Sequence, residues 1–185
     1  MSSEWKARRF WTSSDVVVDG DGWQVQLDGR PVRTPAKAAL RLPTRALADA
    51  VAAEWDAQDE VIAPATMPVT RAANSAIDKV TPQRVEVVEM LAAYGDSDLL
   101  CYRAGSPAGL VGRQRAAWDP LLDWAAERYG ARLIPVEGVI HAPQPAAALE
   151  RLSAPLAALP VFALTGMHDL VTLSGSLVLG LQPPR

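Results

Sequence analysis

The hydrophobic pattern opens as strand. Asp15-Val16-Val17-Val18 runs into Asp19-Gly20-Asp21-Gly22, and beyond that turn Trp23, Val25 and Leu27 alternate with Gln24 and Gln26. Alternation with period two, bounded by turn residues, predicts half-buried strands. Asp28-Gly29 repeats the hairpin signal, since both residues tolerate positive φ. Pro31-Val32-Arg33-Thr34 and Ala39-Leu40-Arg41-Leu42 continue the meander. One face of this small sheet needs cover. A helix starting after the N-cap Thr44 and running to about Gln58 supplies it, with Leu47, Val51, Ala52 and Trp55 on one side.

Beyond a proline-punctuated stretch from Val61 to Pro68 the period changes to that of helices. One helix is expected over Pro68 to Val80, with Arg71, Asn74 and Asp78 on a stripe. Another begins at Thr81-Pro82, with Thr81 as cap and an apolar face of Val85, Val88, Leu91 and Ala92. Leu99 to Arg103 reads as a short strand. Leu110 to Tyr129 reads as a helix interrupted or kinked at Pro120 and stopped by Gly130. Arg132 to Val136 reads as a second short strand, and Gln144 to Leu159 and Pro160 to Leu181 as the last two helices. The pattern predicts an α+β fold: a β-rich domain over 1–66 with one covering helix, then a larger, mostly helical domain over 67–185 with a short two-stranded element.

Composition narrows the class without changing that picture. The 185 residues, 49% apolar and 21% charged, are enough for a folded core. A net charge of −3 argues against nucleic acid as a partner, because phosphate neutralisation needs a basic face. A single cysteine, Cys101, excludes an intrachain disulfide and points to a reducing compartment. The N-terminus lacks the apolar core of a secretory signal. Val161 to Leu181 is the most membrane-like stretch, but His168 and Asp169 in its middle make it a buried helix of a soluble domain, without membrane insertion.

Candidate chemistry is sparse. His141 and His168 are the only histidines and stand in no metal-ligand spacing, so neither a metal nor another cofactor is expected. Asp19-Gly20-Asp21-Gly22 opens like a calcium loop, but Trp23 and Arg30 occupy positions where oxygen ligands belong, and a hairpin turn accounts for it. Leu173-Ser174-Gly175-Ser176-Leu177 lacks the glycines of a nucleophile elbow, and its small residues suit close helix packing. No phosphate loop occurs. Cys101, between Leu100 and Tyr102, reads as a buried inert thiol. His168 beside Asp169 is the best acid–base candidate, although neighbours on a helix do not face each other; Asp96, Asp98 and Glu137 are the other carboxylates available, with nothing in the sequence fixing their geometry. Six tryptophans are the conspicuous excess, at home in cores and in binding hot spots alike. Trp5 and Trp11 flank Lys6, Arg8 and Arg9 in an aromatic-basic arm that could dock onto the body or a partner.

Several runs in order, among them LDGRPVRTPAK from Leu27, LPTRALADAVAAEWDAQ from Leu42, MPVTRAANSAID from Met67, DSDLLCYRA from Asp96, AAWDPLLDWAAERYGA from Ala116 and HDLVTLSGSLVLGL from His168, resemble the assembly chaperones of the F-type ATP synthase α subunit. That family works in α-proteobacteria and in the mitochondrial matrix. The resemblance implies a holdase, not an enzyme: it binds the free α subunit, shields the surface that the β subunit later covers, and leaves as the catalytic head assembles. It also implies a chain that is monomeric when free and, in a bacterium, cytoplasmic. The family pattern continues into further charge-rich helical sequence, whereas this chain stops at Gln182-Pro183-Pro184-Arg185, so its second domain is expected to be truncated.

The partner-binding candidates are the polar and aromatic residues of the matched runs: Arg30, Arg33, Trp55, Arg71, Asn74, Asp98, Trp118 and Asp169. A solvated hairpin is the favoured account of Arg30 and Arg33, and an internal domain-bridging polar network accounts equally well for Arg71, Asn74 and Asp98. Two alternatives stand beside the chaperone. One is a small enzyme using His168 with Asp96 or Asp98, and the other is a permanent structural subunit.

Overall fold

A computed structural model describes residues 7–183 and divides into two compact units, Met1–Pro82 and Gln83–Arg185. In the first, β1 (Ser14–Asp19) and β2 (Gly22–Leu27) pair antiparallel with Val16 opposite Val25. Gly20 at φ 63° makes their turn, and Asp28-Gly29, at φ 46° and 76°, leads into β3 (Arg30–Pro31). Strand β4 (Arg41–Leu42) also pairs with β2, further along the same strand. Val25, Leu27, Leu40 and Leu42 are buried together with Ala48, Val51 and Ala52 of α1 (Arg45–Asp56), so α1 covers the sheet as its spacing predicts. Thr44 caps α1 by accepting from Leu47 N at 3.2 Å.

The chain before β1 docks on its own unit. Arg8 bridges to Val61, and Arg9 donates to the carbonyls of Asp56 and Gln58 at 2.8 and 2.6 Å, satisfying the end of α1. Trp11 is buried edge-on against Trp55, their ring centroids 5.2 Å apart. Of the aromatic-basic arm, Trp5 and Lys6 lie outside the described residues.

The unit boundary falls at 82/83 rather than at 66/67. Helix α2 (Pro68–Ser75) belongs to the first unit because α1 supplies its cap. Met67 offers no side-chain cap, and the Glu54 carboxylate accepts from Val69 N, Thr70 N and Thr70 Oγ1, each at 2.7 Å. The expected single helix to Val80 changes to a π-turn over Ala76–Val80. Thr81 Oγ1 closes that turn onto Ala76 O at 2.8 Å instead of capping the next helix, which starts at Arg84.

The second unit is helical. Helices α3 (Arg84–Ala93), α4 (Ala108–Tyr129), α5 (Ala146–Ala158), α6 (Val161–Ser174) and α7 (Leu177–Leu181) enclose Leu91, Leu122, Leu152, Leu156, Leu164, Val171, Leu177 and Val178. Pro120 lies within α4 without dividing it. The predicted strand over Leu99 to Arg103 is a 3₁₀ turn, Leu99–Cys101, followed by β5 (Tyr102–Arg103). Strand β5 pairs in parallel with β6 (Val136–Glu137), the remnant of the second predicted strand.

The last predicted helix is two. Gly175 takes the left-handed φ of 67° that ends α6, and Ser176 caps α7 by accepting from Leu179 N at 3.1 Å. Gly180 lets α7 lie on α6, since a Cβ there would stand 2.6 Å from a Val171 methyl. Two arginines repeat the device of Arg9. Arg84 donates to the carbonyls of Ala157 and Leu159 at the end of α5, and Arg151 to Gly130 O at the end of α4.

Candidate functional site

The predicted site residues do not form one cluster. In the first unit Arg30 is exposed and its guanidinium sits 6.0 Å from the ring of Phe10, which is itself 62% exposed. Phe10 packs edge-on against Trp11, and Trp11 against Trp55, so Arg30 and Trp55 stand at two ends of one aromatic row. Only the Arg30–Phe10 end is exposed: Trp55 is half-buried, with its indole N–H closed off. Arg33 donates to Lys37 O at 3.0 Å within its own loop. Arg71 is exposed on α2, whereas Asn74 is half-buried with its Oδ1 sealed from solvent. The stripe mate of Asn74, Asp78, accepts from Ala36 N at 3.0 Å and ties the π-turn to the sheet loop.

In the second unit Asp98 has no exposed surface, which removes it from the contact candidates. It caps the 3₁₀ turn through Leu100 N and accepts from Val178 N on α7, both at 3.0 Å. Burial pushes its carboxyl above the usual value, and the opposing hydrogen bonds from Val178, Ser176, Leu100 and Leu177 do not cancel that. Asp96 accepts from Gln144 N at 2.7 Å and meets His141 at 3.2 Å. His168 therefore reaches neither carboxylate, and its Nδ1 lies 3.1 Å from the exposed Asp169 beside it. That adjacent contact, which helix geometry argued against, is open to solvent, with the two side chains 42% and 69% exposed. The enzyme reading required convergence, so it falls. Among the described residues no three His, Cys, Asp or Glu gather to hold a metal ion.

Around Trp118 several groups do converge. Arg103 spans its ring at 5.4 Å, donates through Nε to Leu100 O and pairs through Nη1 with Asp119, both at 2.7 Å. The Arg103 side chain is 11% exposed, and its Nη2 is buried without an acceptor among the described residues. Arg103 lines two adjoining cavities of about 410 and 740 Å³. Their shared walls are Ala104, Gly105, Gln114 and Glu137, and Leu99, Trp118 and Val139 line the larger. Gln114 Oε1 accepts from Ala104 N at 2.8 Å and so ties α4 to the end of β5. Cys101, beneath this site, is an inert thiol: burial and the nearby Asp98 raise its pKa to about 12, with Arg103 opposing. Sequence reasoning named Trp118 but missed Arg103, Leu99 and Val139. The available signal was Val139-Ile140, two β-branched residues between Gly138 and Pro143.

Residues 8–126 match the family described as ATP12 chaperone protein. The chain belongs to that ATP12 family. The fold agrees: Atp12 from Paracoccus denitrificans superposes with a TM-score of 0.92 at 56% identity, over 96% of this chain and 76% of that one. The Atu1473 protein of Agrobacterium tumefaciens matches at TM-score 0.88 and 46% identity, over 94% of this chain and 66% of that one. The mitochondrial atp12 protein of Schizosaccharomyces pombe is 26% identical over 141 residues, 71% of this chain. The chain spans about half the length, 48%, of that ATP12 relative. The family is named for chaperones and not for an enzyme. No helix among the described residues is long and apolar enough to cross a membrane.

Proposed function

We propose that this chain is an ATP synthase assembly chaperone that binds the free α subunit and keeps it from aggregating until its neighbour arrives. ATP12 membership carries the reading, since the match spans nearly all of the first unit and extends into the second as far as residue 126. The surface is compatible with it. Val139 and Ile140 are 90% and 84% exposed, and Phe10 stands out beside Arg30. Exposed apolar groups beside arginine are what a protein-binding surface uses. A holdase acts by mass action: covering a sticky surface lowers the free concentration of the aggregating species. Such a protein works where the α subunit is made or imported, in the bacterial cytoplasm or the mitochondrial matrix. It is monomeric before it meets its partner.

Co-expression tests this. The α subunit made with this chain is expected in the soluble fraction and in a pull-down with it, with Paracoccus Atp12 as the positive reference. If the α subunit stays insoluble and unbound with this chain while Atp12 rescues it, the chain does not have the proposed activity.

A further inference from the structure

The two cavities beside Arg103 are adjoining lobes of one cleft, with Arg103, Ala104, Gly105, Gln114 and Glu137 common to both. One wall is the parallel pair β5–β6 and the other is α4, through Gln114 and Trp118. Strand β6 has one neighbour only, so its second edge is unpaired among the described residues. An unpaired edge is a template for another extended chain. The chain leaving β6 presents Val139 and Ile140 almost fully to solvent, and Leu99 is 44% exposed across the larger lobe.

Charge decides what chemistry suits the cleft. Arg103 and Arg115 on its walls are matched by Asp119 and Glu137, so a charged ligand meets no net opposite charge. The cleft therefore suits a neutral segment, whose alternate apolar side chains would meet Trp118, Leu99 and Val139.

We infer that this cleft is where an extended, uncharged apolar segment of the α subunit docks, lying along β6 with its side chains against Trp118, Leu99 and Val139. The inference rests on the chaperone reading for the identity of the partner, and on the balanced charge, the open edge and the exposed valine for the location.

Two measurements test it. In titrations with α subunit, Val139→Glu is expected to weaken binding by roughly tenfold or more, since it sets a charge in an apolar contact. Leu173→Glu, equally exposed on α6, should stay within about twofold. Equal effects of the two variants, or loss from Leu173→Glu alone, would overturn the location. Failure of the unsubstituted chain to bind α subunit counts against the chaperone reading instead. The cleft is then decided by the second measurement, amide chemical shifts on adding a capped peptide of alternating valine and threonine. Shifts confined to residues 99–104 and 134–140, and absent in Val139→Glu, support docking there. Shifts elsewhere, or none at millimolar peptide, refute it.

Discussion

Asp98 and Arg103 are five residues apart, the first buried and the second largely so, and they spend their hydrogen-bonding capacity differently. Asp98 is saturated. Its two oxygens serve Leu100 and Val178, with Leu177 and Ser176 directed at it as well. It joins the 3₁₀ turn to the start of α7, eighty residues later in the chain. Arg103 is unsaturated, with Nη2 left over beside a cleft. A saturated buried charge is scaffold, while an unsaturated one beside a cavity is a candidate site. The contrast also revises the list of contact residues: the one carboxylate chosen from that stretch does structural work, and the guanidinium passed over is the better candidate.

The largest expected effect tests the scaffold side. Asp98→Ala leaves several buried N–H groups without an acceptor, and urea unfolding of the second unit should show a loss of about 3–5 kcal/mol. A loss below about 1 kcal/mol would mean that α7 is held by its leucines alone. Arg103→Lys should cost much less, about 1 kcal/mol, because Asp119 is half exposed and remains solvated when the fork is lost. If the two variants cost the same, Arg103 is scaffold too and the contrast disappears.

The smallest effect is in pH. The folded-state pKa of Asp98 is raised above 3.8 by burial, so its contribution to stability is full below 3.8 and falls as pH rises through the folded value. Unfolding midpoints of the wild type and Asp98→Asn, taken from pH 3.8 upward, should therefore show the wild-type advantage shrinking with rising pH. An advantage that grows would mean that the donors outweigh the desolvation.

Legibility in the sequence followed the range of the interaction. The hairpins at Gly20 and at Asp28-Gly29, the cap at Thr44 and the cover supplied by α1 rest on neighbours within a few residues, and all were readable. The break at Gly175-Ser176 was equally local, a left-handed glycine followed by a serine cap. It was missed because uniform hydrophobicity through Val161 to Leu181 hides a change of helix. The unit boundary was not local. It depends on Glu54 capping α2 from fifteen residues away, and no pattern within α2 announces that.

The candidate site lay further out of reach. Arg9, Arg84, Arg103 and Arg151 are the same residue type. Tertiary structure sends three of them to carbonyls at helix ends and leaves the fourth with a spare N–H beside a cleft. The sequence by itself determined the α+β class, the early hairpins, the inert thiol and the ATP12 family, because these depend on residue order and local backbone preference. Only the tertiary structure decided which charges are consumed within the fold and which remain for a partner. Hydrogen-bond saturation depends on groups that meet across many residues, and that meeting is set by packing.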